Sequence, residues 1–199
     1  MSFSEIFQYD FIVRALIVGS LVSLCAALLG VTLVLKRFSM IGDGLSHVGF
    51  GALSISMALG FAPLILSTPI VILAAFLLLH INNNSKIKGD SAIAIIASVS
   101  LAAGVIVTSV TSGISVDVFS YMFGSVLAIS DSDLIITVIL SIVVLILYLI
   151  FYNPLFGVTF DENFAKATGT RANLYNMLIA LLTAVTIVVG MRIMGTMLI

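Results

Sequence analysis

Asp43 and His47 stand four residues apart in Ile41-Gly42-Asp43-Gly44-Leu45-Ser46-His47-Val48-Gly49-Phe50-Gly51, within a sequence that is otherwise mostly hydrocarbon. An ionisable side chain at the middle of a bilayer costs about 2.5 kcal/mol or more, so each needs a partner and a purpose. On a helix, positions i and i+4 share one face, which lets each residue partner the other. A carboxylate oxygen and an imidazole nitrogen together suit a divalent transition metal. Two ligands fall short of the four of a closed tetrahedral site, as befits a transit site that must release its ion. Two structural readings compete here: Asp43 as a helix cap that accepts backbone N–H bonds, and His47 as a satisfied packing histidine.

The elements that must position this pair are membrane spans. Of 199 residues, 61% are hydrophobic and 9% charged, with mean hydropathy +1.32, whereas a soluble domain carries about 25% charged residues. The net charge of −1 leaves no electrostatic footprint for nucleic acid. Cys25 is alone in an apolar run, which excludes a disulfide framework and reads as a small buried hydrophobe. Met1 to Asp10 holds no Lys or Arg, so it lacks the basic leader of a signal peptide. Crossing the hydrocarbon takes roughly 20 helical residues, and Ala15–Leu35, Phe61–His80, Ser91–Ser112, Leu134–Tyr152 and Ala172–Ile199 are long enough. A sixth stretch, Gly44–Gly60, is shorter, and its glycines suit close approach between helices. One transmembrane domain over 1–199 is expected, with no soluble domain.

Charge placement gives the orientation. Placing Lys36/Arg37, Lys86/Lys88 and Lys166/Arg171 inside makes six of the eight basic residues cytoplasmic. This requires six crossings, an external N-terminus and an external, non-crossing stretch Ile114–Asp133, whose charges are all acidic. On the inner side, Asp161 to Gly169 reads as a short helix. Acidic residues occupy its first turn, Lys166 comes later, and Gly169 offers a left-handed stop.

From Arg37 to His47 the sequence resembles the signature of the membrane-spanning permease of metal ABC importers. Three more segments agree with that family: Tyr121-Met122-Phe123-Gly124-Ser125-Val126-Leu127, Phe160 to Gly169, and Val189 to Ile199. The resemblance implies an all-α polytopic protein of type II importer architecture in the bacterial cytoplasmic membrane. It implies a homodimer, a cytoplasmic ABC ATPase and an extracytoplasmic metal-binding protein as partners, and a transported divalent metal with no permanently bound cofactor. It assigns Asp43 and His47 to the metal path. It assigns Asp161, Glu162, Asn163, Phe164, Ala165, Lys166 and Gly169, within a cytoplasmic segment 159–171, to coupling with the ATPase. Zinc is the expected metal, with manganese or iron as the alternative within the same family: the surroundings of His47 and the stretch Gly195–Ile199 look closer to zinc-type members, since manganese-type ones tend to carry a Pro after the His. Family members run on for several helices, so a sequence that stops at Ile199 in an apolar run is expected to be truncated.

The residues also weigh against rivals. The sequence holds no Gly-x-x-x-x-Gly-Lys-Ser/Thr, so no catalytic residue is assigned, and the resemblance implies that ATP hydrolysis falls to a separate subunit. A stand-alone secondary transporter would carry more intramembrane carboxylates and matched broken helices in two repeats. An intramembrane metalloprotease would need His-Glu-x-x-His. Met177, Met191, Met194 and Met197 read as core filler, and His80 as an interfacial histidine, while Arg192 is left without a role.

Overall fold

The computed structural model describes residues 9–38, 40–61, 63–84, 89–111, 122–124 and 131–196, which form helices and no strand. In chain order these are α1 Asp10–Leu35, α2 Ile41–Ala58, α3 Pro63–Asn84, α4 Gly89–Thr111, α5 Asp131–Ile150, α6 Tyr152–Phe160, α7 Glu162–Ala167 and α8 Ala172–Met194. By length and composition, α1, α4 and α8 can each cross a membrane, as can the bent pair of α5 and α6. The 18 residues of α2, at 1.5 Å each, reach about 27 Å, close to the hydrocarbon thickness.

Matched contacts fix the relative directions of the helices. Cys25 Sγ donates to the Ser141 carbonyl at 3.5 Å, and the Thr32 and Tyr148 hydroxyls meet at 3.1 Å. Each partner lies equally far along the chain, so α1 and α5 run parallel. Likewise Gly44 lies against Ile93 and Gly51 against Ser100, so α2 and α4 run parallel. Lys36 meets Asn176 while Val18 and Val22 pack near Val189, so α1 and α8 run antiparallel.

Small residues permit the closest of these approaches. A Cβ on Gly51 would lie 2.8 Å from the Ser100 carbonyl oxygen, and one on Gly104 would lie 3.1 Å from the Gly51 Cα. Only glycine lets two helix backbones meet this tightly. The centre of the bundle is α8, 61% buried over its apolar window against 28% for α1 and 22% for α4. One face of α8 packs Ala180, Ala184 and Met191 against Leu45, Val71 and Ile93. Another packs Ile179 and Leu182 against Cys25, Leu29 and Tyr148. The outer faces of α1 and α4 expose Val31, Val34, Ile106 and Val110, as lipid-facing helices do.

Most ends shift by two to five residues from expectation, and three of the differences have a clear physical cause. First, α2 begins at Ile41, ahead of Gly44, because α1 ends in a tight turn: Phe38 N–H donates to the Leu33 carbonyl (2.9 Å) and Arg37 N–H to that of Val34 (3.0 Å). Arg37 takes φ 62 there, where glycine is usual. Phe38 is then buried in the α2–α3–α8 core, offsetting the roughly 1–2 kcal/mol of left-handed strain. Second, the span from Leu134 breaks at Phe151, and α6 leaves it at 71°. Pro154 cannot donate to the Ile150 carbonyl, but it is tolerated in the first turn of a new helix. Third, α8 stops at Met194, short of Ile199. Gly195 has φ 83, and a side chain on it would strike the backbone of Met122–Gly124. Most of the stretch expected to be external, Ile114–Asp133, and the side chains of His80 and Arg192, lie outside the described residues.

Candidate functional site

Twelve of the eighteen residues of α2 are buried. Asp43 and His47 form the polar opening in this packed helix, with side chains 57% and 18% exposed. His47 Nε2 lies 3.4 Å from Asp43 Oδ1. The N-cap of α2 is Met40, and no side chain bonds there, so Asp43 faces the imidazole instead of capping. Ser46 Oγ donates to the Asp43 carbonyl at 2.7 Å and leaves the carboxylate free of that hydroxyl. The other ring nitrogen, His47 Nδ1, is buried with no hydrogen-bond partner among the described residues. An orphaned polar atom of this kind costs about 1–3 kcal/mol, so among the described residues nothing satisfies His47 as a packing histidine would be satisfied. The site therefore offers an open carboxylate beside the Nε2 edge of an imidazole, while the buried Nδ1 has no partner among the described residues. Among the described residues no three His, Cys, Asp or Glu side chains cluster. A cavity of about 320 Å³ between α1, α8 and Gly42 is lined by apolar residues with Thr183 and Thr186, and so offers no ligand of its own.

The second group of expected residues folds as α7 and its caps. Asp161 Oδ1 accepts the Phe164 N–H at 2.9 Å, a side-chain N-cap. At the other end Gly169, with φ 86, donates to the Lys166 carbonyl (3.1 Å), and Thr170 N–H donates to that of Ala165 (2.9 Å). These two hydrogen bonds close the C-terminus of a helix only six residues long. Ala165 is buried against Val158 of α6 and Ala172 of α8. Asn163, Phe164 and Lys166 are exposed.

Glu162 does something sequence reasoning missed. Its Oε1 pairs with Lys166 Nζ at 2.6 Å, and its Oε2 accepts from Asn176 Nδ2 at 3.1 Å and lies 3.8 Å from Lys36 Nζ. Lys36 Nζ donates in turn to Asn176 Oδ1. Lys36 and Asn176 are buried. Burial pushes the Lys36 ammonium below its ordinary value, and the nearby Glu162 charge only partly opposes this. For Glu162 burial acts upward, but hydrogen bonds from Lys166 and Asn176 and the charge of Lys36 outweigh it, holding the carboxyl below its ordinary range. The one available signal was Lys36 itself, the basic residue closing an otherwise apolar span.

The chain is 33% identical to the manganese import system permease protein ScaB of Streptococcus parasanguinis, over 96% of this chain and 68% of that one. It is 34% identical to the manganese transport system membrane protein MntC of Listeria monocytogenes, over 90% and 64%. Among solved structures, PsaBC from Streptococcus pneumoniae in complex with Fab superimposes with TM-score 0.83 at 34% identity, covering 98% of this chain and 70% of that one. Residues 8–199 match the ABC 3 transport family, so this chain belongs to that family, as an all-helical, multi-pass permease of metal ABC importers in the cytoplasmic membrane.

Proposed function

We propose that this chain lines the membrane path of a manganese importer, with Asp43 and His47 as a weak transit site for the ion. The observation that carries the reading is the pair itself: a half-exposed carboxylate 3.4 Å from an imidazole whose second nitrogen has no partner among the described residues, on an otherwise packed helix. Manganese replaces zinc as the first choice because the similar permeases ScaB and MntC are named for manganese. The donors do not argue otherwise. An imidazole–carboxylate pair binds zinc more tightly than manganese by the general affinity order, so a preference for manganese belongs to the external binding protein or to further ligands.

In this reading α1 to α5 and α8 make six crossings, with the N-terminus outside and α7 in the cytoplasm. The parallel pairs α1/α5 and α2/α4 and the antiparallel pair α1/α8 are consistent with that order. The segment Asp161–Gly169 docks into a cytoplasmic ABC ATPase through exposed Phe164 and its neighbours, and a second copy of the permease completes the pathway.

The test is manganese uptake by the importer reconstituted with its ATPase and binding protein. Asp43→Ala and His47→Ala should each lower uptake at least about tenfold, as loss of metal-site groups does, while assembly with the ATPase is unchanged. The double variant should be scarcely worse than either single one, since the two act as a unit. Normal uptake by both single variants would sink the transit site. Zinc transported faster than manganese at equal concentrations would reverse the choice of metal only.

A further inference from the structure

Apolar packing fastens α7 to α6 and α8 through Ala165, Val158 and Ala172. Nothing in that contact reaches α1 or the helix that bears the metal pair. The polar cluster does. Lys36 closes α1, Glu162 opens α7, and Asn176 sits in the second turn of α8, and all three converge. Asn176 is the keystone: its amide oxygen accepts from Lys36 and its nitrogen donates to Glu162. Beyond Lys36 only the tight turn through Phe38 separates this cluster from Ile41, where α2 begins, and Asp43 lies in that first turn.

Placing an ammonium and an amide in so buried a position is not the cheapest anchor, because well-packed apolar residues often serve as well or better. What the polar set adds is geometry. Each hydrogen bond has a direction, and together they fix the azimuth of α7 against the end of α1. We propose that Lys36, held by Asn176 and Glu162, is a positioning residue that carries movement of the ATPase-facing helix to α2 and so to Asp43 and His47. This rests on the importer reading above. In it, tilting α7 drags the α1–α2 turn, and the turn reorients the first turn of α2, where the carboxylate lies.

The test compares metal moved with ATP hydrolysed in the complete importer in lipid vesicles, using manganese(II) and its loaded binding protein. Lys36→Met keeps the four-atom stem and removes the charge. Its complex should assemble and hydrolyse ATP as before, yet the ratio of manganese transported to ATP hydrolysed should fall about tenfold, the scale of one lost charged hydrogen bond. Glu162→Gln, which keeps the shape and an acceptor for Asn176, should lower the same ratio and guards against misfolding of the first variant. Combining the two should lower it no further than the worse single variant, because both break one unit. A purely structural role predicts that transport and hydrolysis fall together with assembly, at constant ratio. A constant ratio in both variants, whatever the absolute rates, overturns the proposal. The transit-site reading fails separately, through unaltered transport in Asp43→Ala and His47→Ala with the clamp intact.

Discussion

The crossing of α2 and α4 makes a quantitative prediction from two glycines on the same helix. A methyl placed on Gly51 would meet the Ser100 carbonyl oxygen at 2.8 Å, closer than real side chains approach, and both atoms belong to rigid helix backbone. A methyl placed on Gly42 would find nothing within 4 Å. Both substitutions gain the same intrinsic helix preference, about 0.8–1 kcal/mol for Gly→Ala, so the difference between them isolates the clash. Overpacking a filled interface costs about 1–3 kcal/mol. Gly42→Ala should therefore be neutral or stabilising, and Gly51→Ala should lie about 1–3 kcal/mol below it. For a chain of this size that separation is roughly 2–12 °C in thermal midpoint, at about 2–4 °C per kcal/mol. The assay is thermal unfolding of the two purified variants side by side in the same detergent. Equal midpoints would refute the claim that Gly51 is required by backbone contact, and with it the register assigned to the α2–α4 pair.

Two further outcomes are expected. A Glu162 carboxyl held below its ordinary value of 4.5 contributes stability that is fully present above that value and is lost as pH falls through the lowered one. The gap in thermal midpoint between the unmodified chain and Glu162→Gln should thus be constant across about pH 5–8 and close only on acidification below it; a gap that closes on the alkaline side would contradict the assignment. The orientation is checked by a cysteine at exposed Asn163, which should react with an impermeant thiol reagent only from the cytoplasmic side; labelling from outside would invert the proposed topology.

What could be read from the sequence follows from how rare a signal is against its background. Asp43 and His47 were legible because polar atoms are scarce among apolar ones, and their four-residue spacing matches the helix on which they lie. The limits of α7 were legible because Asp161 and Gly169 each do one job that few residues can do. By contrast, α6 was hidden. Tyr152 to Phe160 carries no charge to mark it off from the span before it, and the missing N–H of Pro154 and the burial of Leu155 and Val158 on one side turn it away. Lys36 was legible as a charge that sets orientation but not as a buried partner, because Asn176, near the start of α8, looks like any polar residue at a membrane boundary. The metal was not legible at all, since a carboxylate and an imidazole accept several divalent ions.

The energetic character of the two groups differs in a way that suits transport. An isolated helix of six residues has no stability of its own in water, so α7 owes its shape to what surrounds it. Asp161 satisfies one end, the Gly169 turn satisfies the other, Ala165 is buried beneath, and Glu162 is bonded from three sides. Such a helix is held at both ends and along its buried face. The proposed transit pair, Asp43 and His47, is the reverse, with one carboxylate open to its surroundings and few bonds holding either side chain among the described residues. A transported ion must be released in every cycle, so tight ligation would stall it, and the work of moving it has to come from elsewhere. In the proposed reading, a helix so held, joined through Lys36 to the turn before a weakly ligating pair, meets both needs, because the force would be delivered through the backbone while the ion is held only by the side chains it must leave.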